Sequence, residues 1–270
     1  MPSPSIITGP VDALERRLAD DVAELQRDDP LRPVVVLVGE TLLRAYLRRR
    51  IAELTGPYLN VHIVTPGELA LRLGETPLVL AGHKPLPILA DRVLAQEAAA
   101  STPGYFDAVS STPGFGHALH RTLVEIRRAD VTAPALADAA AASLEPEKTS
   151  ALAALAARHG ALRAGLYDAD AALAGAEPGR LGADQLLVYG LWEPTAAMRR
   201  ALAAIAAAQG LSVYLPTADP VADLAHAGFR DWLRTGLGAS TSPLPGEPSA
   251  VGDDAIRIAS APDPNREVRD

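Results

Sequence analysis

The sequence contains no cysteine, few aromatic residues and no long apolar run. Without cysteine there can be no disulfide, no thiol nucleophile, no iron–sulfur cluster and no cysteine-ligated zinc. No apolar run reaches the roughly 18–20 residues that cross a bilayer. The charged, proline-containing start also lacks the apolar core of a secretory signal. We therefore expect a cytoplasmic protein that does not associate with membranes.

Negative charge is in excess, with 33 acidic residues against 25 basic ones and a formal net charge of −8. This balance argues against a protein that coats nucleic acid with its whole surface, although a local basic face remains allowed. The 270 residues are 48% apolar and 21% charged, which is typical of globular chains. The length suits one large domain or two small ones.

Short apolar runs alternate with helical patterns in two parts of the chain, and this alternation is typical of βαβ units. The clearest run is 34–38, which is uninterrupted, as in strands of buried parallel sheets. A helical stripe follows it at Leu43, Leu47, Ile51 and Leu54. We predict one mainly parallel sheet from strands near 5–8, 34–38, 61–64, 186–189 and 212–215.

The domain organisation follows from where this alternation stops. Residues 1–84 and 181–234 are expected to form an α/β domain, and the Ala/Leu-rich residues 85–180 an all-helical insertion without strands. Gly, Ser and Pro dominate 235–254, which predicts a linker. The residues 255–270 are interpreted as the start of a truncated following domain.

A phosphate-binding loop belongs between the first strand and the first helix of such a domain, with the pattern G-x-x-x-x-G-K-[ST]. Gly9 and Pro10 are present there, but Leu14 stands in place of the second glycine. Glu15 replaces the lysine and Arg16 the hydroxyl residue. Because a carboxylate in the lysine position repels phosphates, we expect no nucleotide cofactor.

Three segments resemble motifs of superfamily 1 DNA helicases in their family order. The strand and helix at 36–51 resemble motif Ia, and 64–70 resembles the motif that follows it near single-stranded DNA. The segment 187–194 falls where the V-D-E-x-Q-D motif belongs. Tyr189 takes the place of the Mg²⁺-organising aspartate and Gly190 that of the water-activating glutamate. Both halves of the ATPase site are therefore absent.

This combination is similar to the helicase-like subunits of bacterial helicase–nucleases, the AddB and RecC type. The resemblance implies a P-loop-NTPase-like fold, with the helices at 85–180 matching the 1B-like insertion. It further implies an inactivated, non-catalytic module of a DNA-end-processing machine for recombinational repair. Such a module would guide DNA and dock a motor subunit, and the parent protein would carry a PD-(D/E)xK nuclease domain far downstream.

The resemblance makes Arg44, Arg48 and Arg50, which follow the motif Ia-like strand, candidates for contacts with single-stranded or forked DNA. Thr65, at the end of the next strand, is a further candidate. A solvated helix face and a helix N-cap explain the same residues without DNA. Two alternatives remain open: a protein-interaction scaffold with no DNA contact, and a small α/β enzyme unrelated to helicases.

Other polar and aromatic residues give weaker signals. His117 and His120 are one helical turn apart, but no third ligand accompanies them, so a structural or surface role is favoured over a metal site. Trp192 could stack on a base, yet it follows a buried strand and is more typical of a core. The pair at 253–254 lies in the expected linker, a poor platform for acid–base chemistry.

Overall fold

A six-stranded parallel sheet forms the centre of the computed structural model, which describes residues 3–87, 89–112, 114–217 and 222–246. The strands of these ranges, in chain order, are β1 (Ser5–Gly9), β2 (Val34–Val38), β3 (Val61–Val64), β4 (Lys84–Pro85), β5 (Leu166–Tyr167), β6 (Gln185–Tyr189), β7 (Gly210–Pro216) and β8 (Ser240–Pro243). The sheet order is β3-β2-β6-β7-β1-β8, and each neighbouring pair is parallel. The predicted parallel sheet of five strands is confirmed.

Helices cover both faces of this sheet. In chain order they are α1 (Val11–Leu25), α2 (Thr41–Thr55), α3 (Pro66–Leu80), α4 (Ala90–Ser101), α5 (Asp107–Ser110), α6 (Phe115–Arg128), α7 (Ala133–Ala139), α8 (Pro146–Leu162), α9 (Ala169–Ala174), α10 (Ala196–Ala208) and α11 (Ala227–Leu237). The apolar stripes of α1 and α2 pack on one face, and those of α3, α9, α10 and α11 pack on the other. The result is a three-layer α/β arrangement.

Strand β2 shows why its sequence is apolar at every position. Val34, Val36 and Val38 point into the core under α1 and α2. Val35 and Leu37 point into the opposite core, under α3 and α10. Because successive side chains of a strand alternate between faces, a strand covered on both sides must be apolar throughout.

The insertion between α3 and β6 is mainly helical but not wholly so. β5 lies inside it and pairs in parallel with β4, Lys84 opposite Leu166 and Pro85 opposite Tyr167. The expectation of a strand-free insertion is therefore wrong at this two-residue pairing. The pairing joins the chain just after α3 to the chain just after α8. A run of two residues is too short to give a period in the sequence.

The last helix of the insertion packs against the sheet domain. Ala172 and Leu173 of α9 belong to the core that α3 and α10 share. A Cβ atom on Gly74 would lie 1.8 Å from the carbonyl oxygen of Ala172, so α3 and α9 approach each other closely only because position 74 is glycine. The core of the α/β domain thus includes residues from within the predicted insertion.

The range expected to be a linker contains regular structure. Residues 235–237 end α11, and β8 pairs with β1, Ser5 opposite Ser240 and Thr8 opposite Pro243. All four residues of β8 are exposed, so an edge strand here needs no apolar pattern and keeps a Ser/Pro-rich sequence. The expected linker at 247–254 and the expected domain start at 255–270 lie outside the described residues.

Within the part of the chain that the structure describes, no helix is long and apolar enough to cross a bilayer.

Candidate functional site

The six strands of the sheet are parallel and end at one edge, which we call the carboxyl edge. β2, β6, β7 and β1 are consecutive in the sheet, so the segments that follow them lie side by side there. A cavity of about 440 Å³ opens at this edge. Its lining residues are Val11, Glu40, Leu43, Tyr189, Gly190, Trp192 and Pro216. The degenerate phosphate loop and the degenerate Mg²⁺ motif therefore border one site, as ligand sites of open α/β sheets commonly do.

Residues 9–16, at the place where a phosphate loop would lie, contribute Glu15 to a partly buried ion pair. Glu15 is buried, and its Oε2 accepts a hydrogen bond from Arg50 Nε at 2.7 Å. Its Oε1 accepts a hydrogen bond from the Tyr46 hydroxyl at 2.7 Å. The Arg50 guanidinium also lies 3.9 Å from Asp12. At the position where a nucleotide-binding loop keeps a lysine for phosphates, this chain joins α1 to α2.

The rest of that loop forms the start of α1. Gly9 ends β1, Pro10 precedes the helix, and Leu14 is fully buried in the core under α1. Arg16 is exposed on the helix surface. A hypothetical Cβ on Gly9 would lie 2.9 Å from Leu244 Cβ, so the chain after β8 closes over the end of β1. These residues pack in the core or begin the helix, and they do not form a phosphate-binding loop.

The degenerate Mg²⁺ motif is equally unsuited to a metal. Burial, together with the nearby Glu15 carboxylate, raises the pKa of the Tyr189 hydroxyl, so Tyr189 stays neutral at physiological pH. Gly190 has φ +66°, and a Cβ atom there would lie 2.3 Å from Leu43 Cδ2. A glutamate at this position would adopt a strained left-handed backbone conformation and would displace the Leu43 methyl group. Among the described residues, no group of three or more His, Asp or Glu side chains could hold a metal ion.

Three of the four DNA-contact candidates are engaged in contacts within the protein. Arg44 pairs with Glu68, and Arg50 pairs with Glu15. Thr65 is the N-cap of α3 in a capping box, because its backbone N–H donates to Glu68 Oε2 at 2.8 Å and its Oγ1 accepts from Glu68 N at 3.5 Å. These hydrogen bonds and the Arg44 charge lower the pKa of Glu68. The structure thus gives each of these residues an internal partner.

Arg48 differs from the other candidates because its side chain is exposed, whereas Arg44 and Arg50 are half-buried. It lies on α2 beside Arg49, which pairs with Glu53 at 3.4 Å. Arg48 is therefore the candidate that an approaching phosphate reaches without breaking an ion pair of Arg44 or Arg50.

A second polar site, which the sequence analysis missed, lies inside the insertion. Asp91 of α4 is buried, and four cationic or ionisable side chains surround its carboxylate. Its Oδ2 lies 3.1 Å from His120 Nε2 and 3.5 Å from Arg127 Nη2. Its Oδ1 lies 3.2 Å from His159 Nε2 and 3.1 Å from Arg163 Nη1. We call these five residues the Asp91 cluster.

The Asp91 cluster stabilises the ionised carboxylate. Burial by itself would raise the pKa of Asp91, but the His159 hydrogen bond and the Arg163 charge outweigh it and lower the pKa to about 2. Asp168 closes the network, since its Oδ2 accepts from Arg127 at 3.0 Å and from Arg163 at 2.6 Å. His120 therefore has the structural role that the sequence favoured, whereas His117 is exposed.

A signal for this cluster exists in the sequence but is weak. His120 and Arg127 are seven residues apart on α6, and His159 and Arg163 are four apart on α8, so each pair shares a helix face. These four side chains lie on helix faces that are otherwise apolar, and this pattern indicates a polar contact inside the core. Their shared partner, Asp91, is 29 residues away at the nearest and could not be identified from spacing.

A cavity of about 420 Å³ lies beside the Asp91 cluster, between the insertion and α10. Arg127 and Arg163 line it and both donate to Asp168, and Arg200 lines it and pairs with Asp130. Its positive charges are thus matched by carboxylates of the same cavity, which is typical of a structural network.

Comparison with known proteins adds no family. No model of a protein family matches the chain, and a search of curated proteins gives no significant match. The function therefore rests on the carboxyl edge and on the arrangement of the elements around it.

Proposed function

We propose that this chain is a non-catalytic, helicase-like module of a DNA-end-processing helicase–nuclease, which guides DNA and docks a motor subunit. The observation that carries this proposal is the meeting of two degenerate motifs at one site. Glu15 after β1 and Tyr189 at the end of β6 lie at the carboxyl edge, near enough for the Glu15 charge to raise the Tyr189 pKa. Two motifs of one lost ATPase site would be expected to lie together in this way.

The order of the strands supports the same proposal. β1 and β6 are separated in the sheet by β7 alone, and β2 lies on the other side of β6. In a nucleotide-binding domain this order would bring a phosphate loop after β1 and an acidic motif after β6 to one ligand. The mainly helical segment between β3 and β6 supports the proposal by its position in the chain order, whereas the β4–β5 pairing inside it counts against the resemblance.

The first test of this proposal is nucleotide binding. Because Glu15 is paired with Arg50 and Gly190 supplies no carboxylate, we expect no binding or hydrolysis of Mg²⁺–ATP in calorimetry and phosphate-release assays. The double variant Tyr189→Asp, Gly190→Glu should not restore either activity. Micromolar ATP binding by the unmodified chain would refute the inactivated-site argument.

The second test is DNA binding through α2. We expect weak, salt-sensitive binding to single-stranded or forked DNA, and each phosphate contact should contribute a salt slope of roughly 0.7. Arg48→Glu should weaken binding and DNA-end engagement in the full-length protein with its motor partner. Arg121→Glu, an equally drastic change at an exposed arginine of α6, is the matched control. If the two variants behave alike, the α2 face is not a DNA surface.

The competing scaffold function also has a specific observation in its favour. Arg44 and Arg50 are engaged with Glu68 and Glu15, so only part of the predicted basic face is available to DNA. A scaffold would bind the motor subunit normally and show no change in DNA affinity with Arg48→Glu. Sequencing the complete reading frame distinguishes the two proposed functions directly, because a downstream nuclease motif is expected for the helicase–nuclease module and not for the scaffold.

A further inference from the structure

The cavity at the carboxyl edge combines apolar walls with a single charged group. Val11, Leu43 and Pro216 supply aliphatic surface, and Trp192 supplies an aromatic ring. Glu40 is the residue with a full charge among those that line it in the described chain. The volume of about 440 Å³ lies within the range of about 300–1,000 Å³ that is usual for ligand sites. The lining therefore suits a guest with a long apolar stem.

Two of the residues that line the cavity are large apolar side chains exposed to solvent. Val11 is 46% exposed and Trp192 is 42% exposed. Trp192 stacks on His226 with ring centroids 5.5 Å apart. Single exposed apolar side chains are normal on protein surfaces, but exposed apolar side chains that line one cavity are typical of a protein-contact site.

The charge at this edge selects the kind of guest. The nearest arginines of α2 are held by Glu15 and Glu68, so they do not neutralise Glu40. The N-termini of α1 and α2 contribute partial positive charge, but Asp12 already lies in the first turn of α1 and Glu40 is the N-cap of α2. A phosphate would meet these carboxylates, whereas a cation would be attracted by them.

We propose that the cavity receives an arginine or lysine side chain of a protein partner. Its aliphatic stem would lie against Val11, Leu43 and Pro216, and its cationic head would pair with the Glu40 carboxylate beside Trp192. Long cationic side chains bury their stems while keeping the charge at a polar group, and indole rings attract cations. This inference rests on the partner-docking part of the proposed function and assigns it a site.

The test uses two peptides that differ in one charge. Acetyl-Phe-Leu-Arg-Leu-Phe-amide is titrated into the ¹⁵N-labelled full chain, and its counterpart carries citrulline, a neutral isostere, in place of arginine. We expect the arginine peptide to shift the amide signals of residues 39–43 and 189–193, with a dissociation constant of about 1 mM or tighter. The citrulline peptide should bind about fivefold more weakly, since it cannot form the ion pair.

Variants of the chain locate the contact. Glu40→Gln should reduce the affinity for the arginine peptide to that for the citrulline peptide, and leave the latter unchanged. Val11→Ser, at an exposed lining residue, should weaken both peptides. Leu80→Ser is the matched control, because Leu80 is 81% exposed and lies at the far end of α3 from the carboxyl edge. It should leave both affinities unchanged.

Several results would overturn the proposal: equal affinities for the two peptides, no effect of Glu40→Gln, or no shift at about 1 mM peptide. Displacement of the arginine peptide by a single-stranded oligothymidine would also overturn it, since the edge would then bind nucleic acid. The first three results do not bear on the DNA-guiding part of the proposed function, which Arg48→Glu tests two turns farther along α2. Displacement by the oligothymidine would overturn the docking proposal and support DNA guiding, so the two failures are distinguishable.

Discussion

The central sheet and the helical insertion are held together by different chemistry. Every residue of β2 is buried and apolar, and its backbone groups are paired on both sides by β3 and β6. The insertion has a small apolar core, in which the buried residues are Ala95, Leu119, Leu123 and Leu155. It adds the buried Asp91 cluster, which joins α4, α6 and α8. Stability should therefore depend weakly on pH in the sheet and strongly in the insertion.

The largest effect should come from the sheet. Leu187 lies fully buried in the middle of β6, so Leu187→Ala should cost about 4 kcal/mol of the free energy of unfolding through lost apolar burial and a residual cavity. Chemical denaturation followed by circular dichroism measures the loss. Leu80→Ala, at an exposed leucine, should be close to neutral. A loss of stability confined to the insertion would contradict the place of Leu187 in the core under α1 and α2.

The insertion should respond to Asp91→Ala with a loss of about 3 kcal/mol, since removal of the anion leaves buried Arg163 and His159 without it. Hydrogen exchange should show faster exchange in α4, α6 and α8, with β2 and β6 still protected. Asp138→Ala, at an exposed position of α7, serves as the control. If β2 and β6 lose protection equally, the two regions unfold as one unit and the comparison fails.

Acid should affect the two regions differently. The pKa of Asp91 is about 2 in the folded protein and about 3.9 in an unfolded chain, so its contribution is complete above about pH 4. The contribution is lost as the pH falls from about 4 to about 2. Asp91→Asn should lack this pH dependence. The difference in the free energy of unfolding of the insertion between variant and wild type should therefore become smaller as the pH falls from about 4 to about 2. Exchange rates in α8 that stay parallel for both proteins down to pH 2 would contradict the assignment.

The smallest effect should come from the carboxyl edge. Tyr46→Phe removes one hydrogen bond to Glu15, but Tyr46 is partly exposed and Arg50 still pairs with the carboxylate, so we expect a loss of about 0.5 kcal/mol. Tyr105→Phe, at an exposed tyrosine of the insertion, is the control. A loss as large as that of Asp91→Ala would mean that the edge depends on its polar contacts as much as the insertion does.

The regular elements of the sheet domain were largely predictable. The stripe after 34–38 matches α2, because this helix buries one apolar face. β8 was not, since an exposed edge strand leaves no alternation in its sequence. The pairing of β4 with β5 was missed because each contributes two residues.

The candidate site was predicted in its composition but not in its contacts. The sequence alone identified Glu15, Tyr189 and Gly190 as residues that a nucleotide site cannot use. It could not show that Glu15 accepts from Arg50, 35 residues away, or that Arg44 is held by Glu68. Those pairings change the interpretation of α2, since they leave Arg48 as its exposed candidate.

The sequence by itself determined the parallel α/β architecture, the mainly helical segment before β6 and the absence of a phosphate-loop consensus after β1, because each depends on local periodicity or on residue identity at a turn. Only the tertiary structure decided which charges are free. Ion pairs such as Asp91 with His159, 68 residues apart, form when packing brings distant helices together and excludes water from their charges. No local sequence pattern encodes a contact between residues so far apart. Packing of segments that are distant in the chain also creates the cavity beside Glu40 and Trp192.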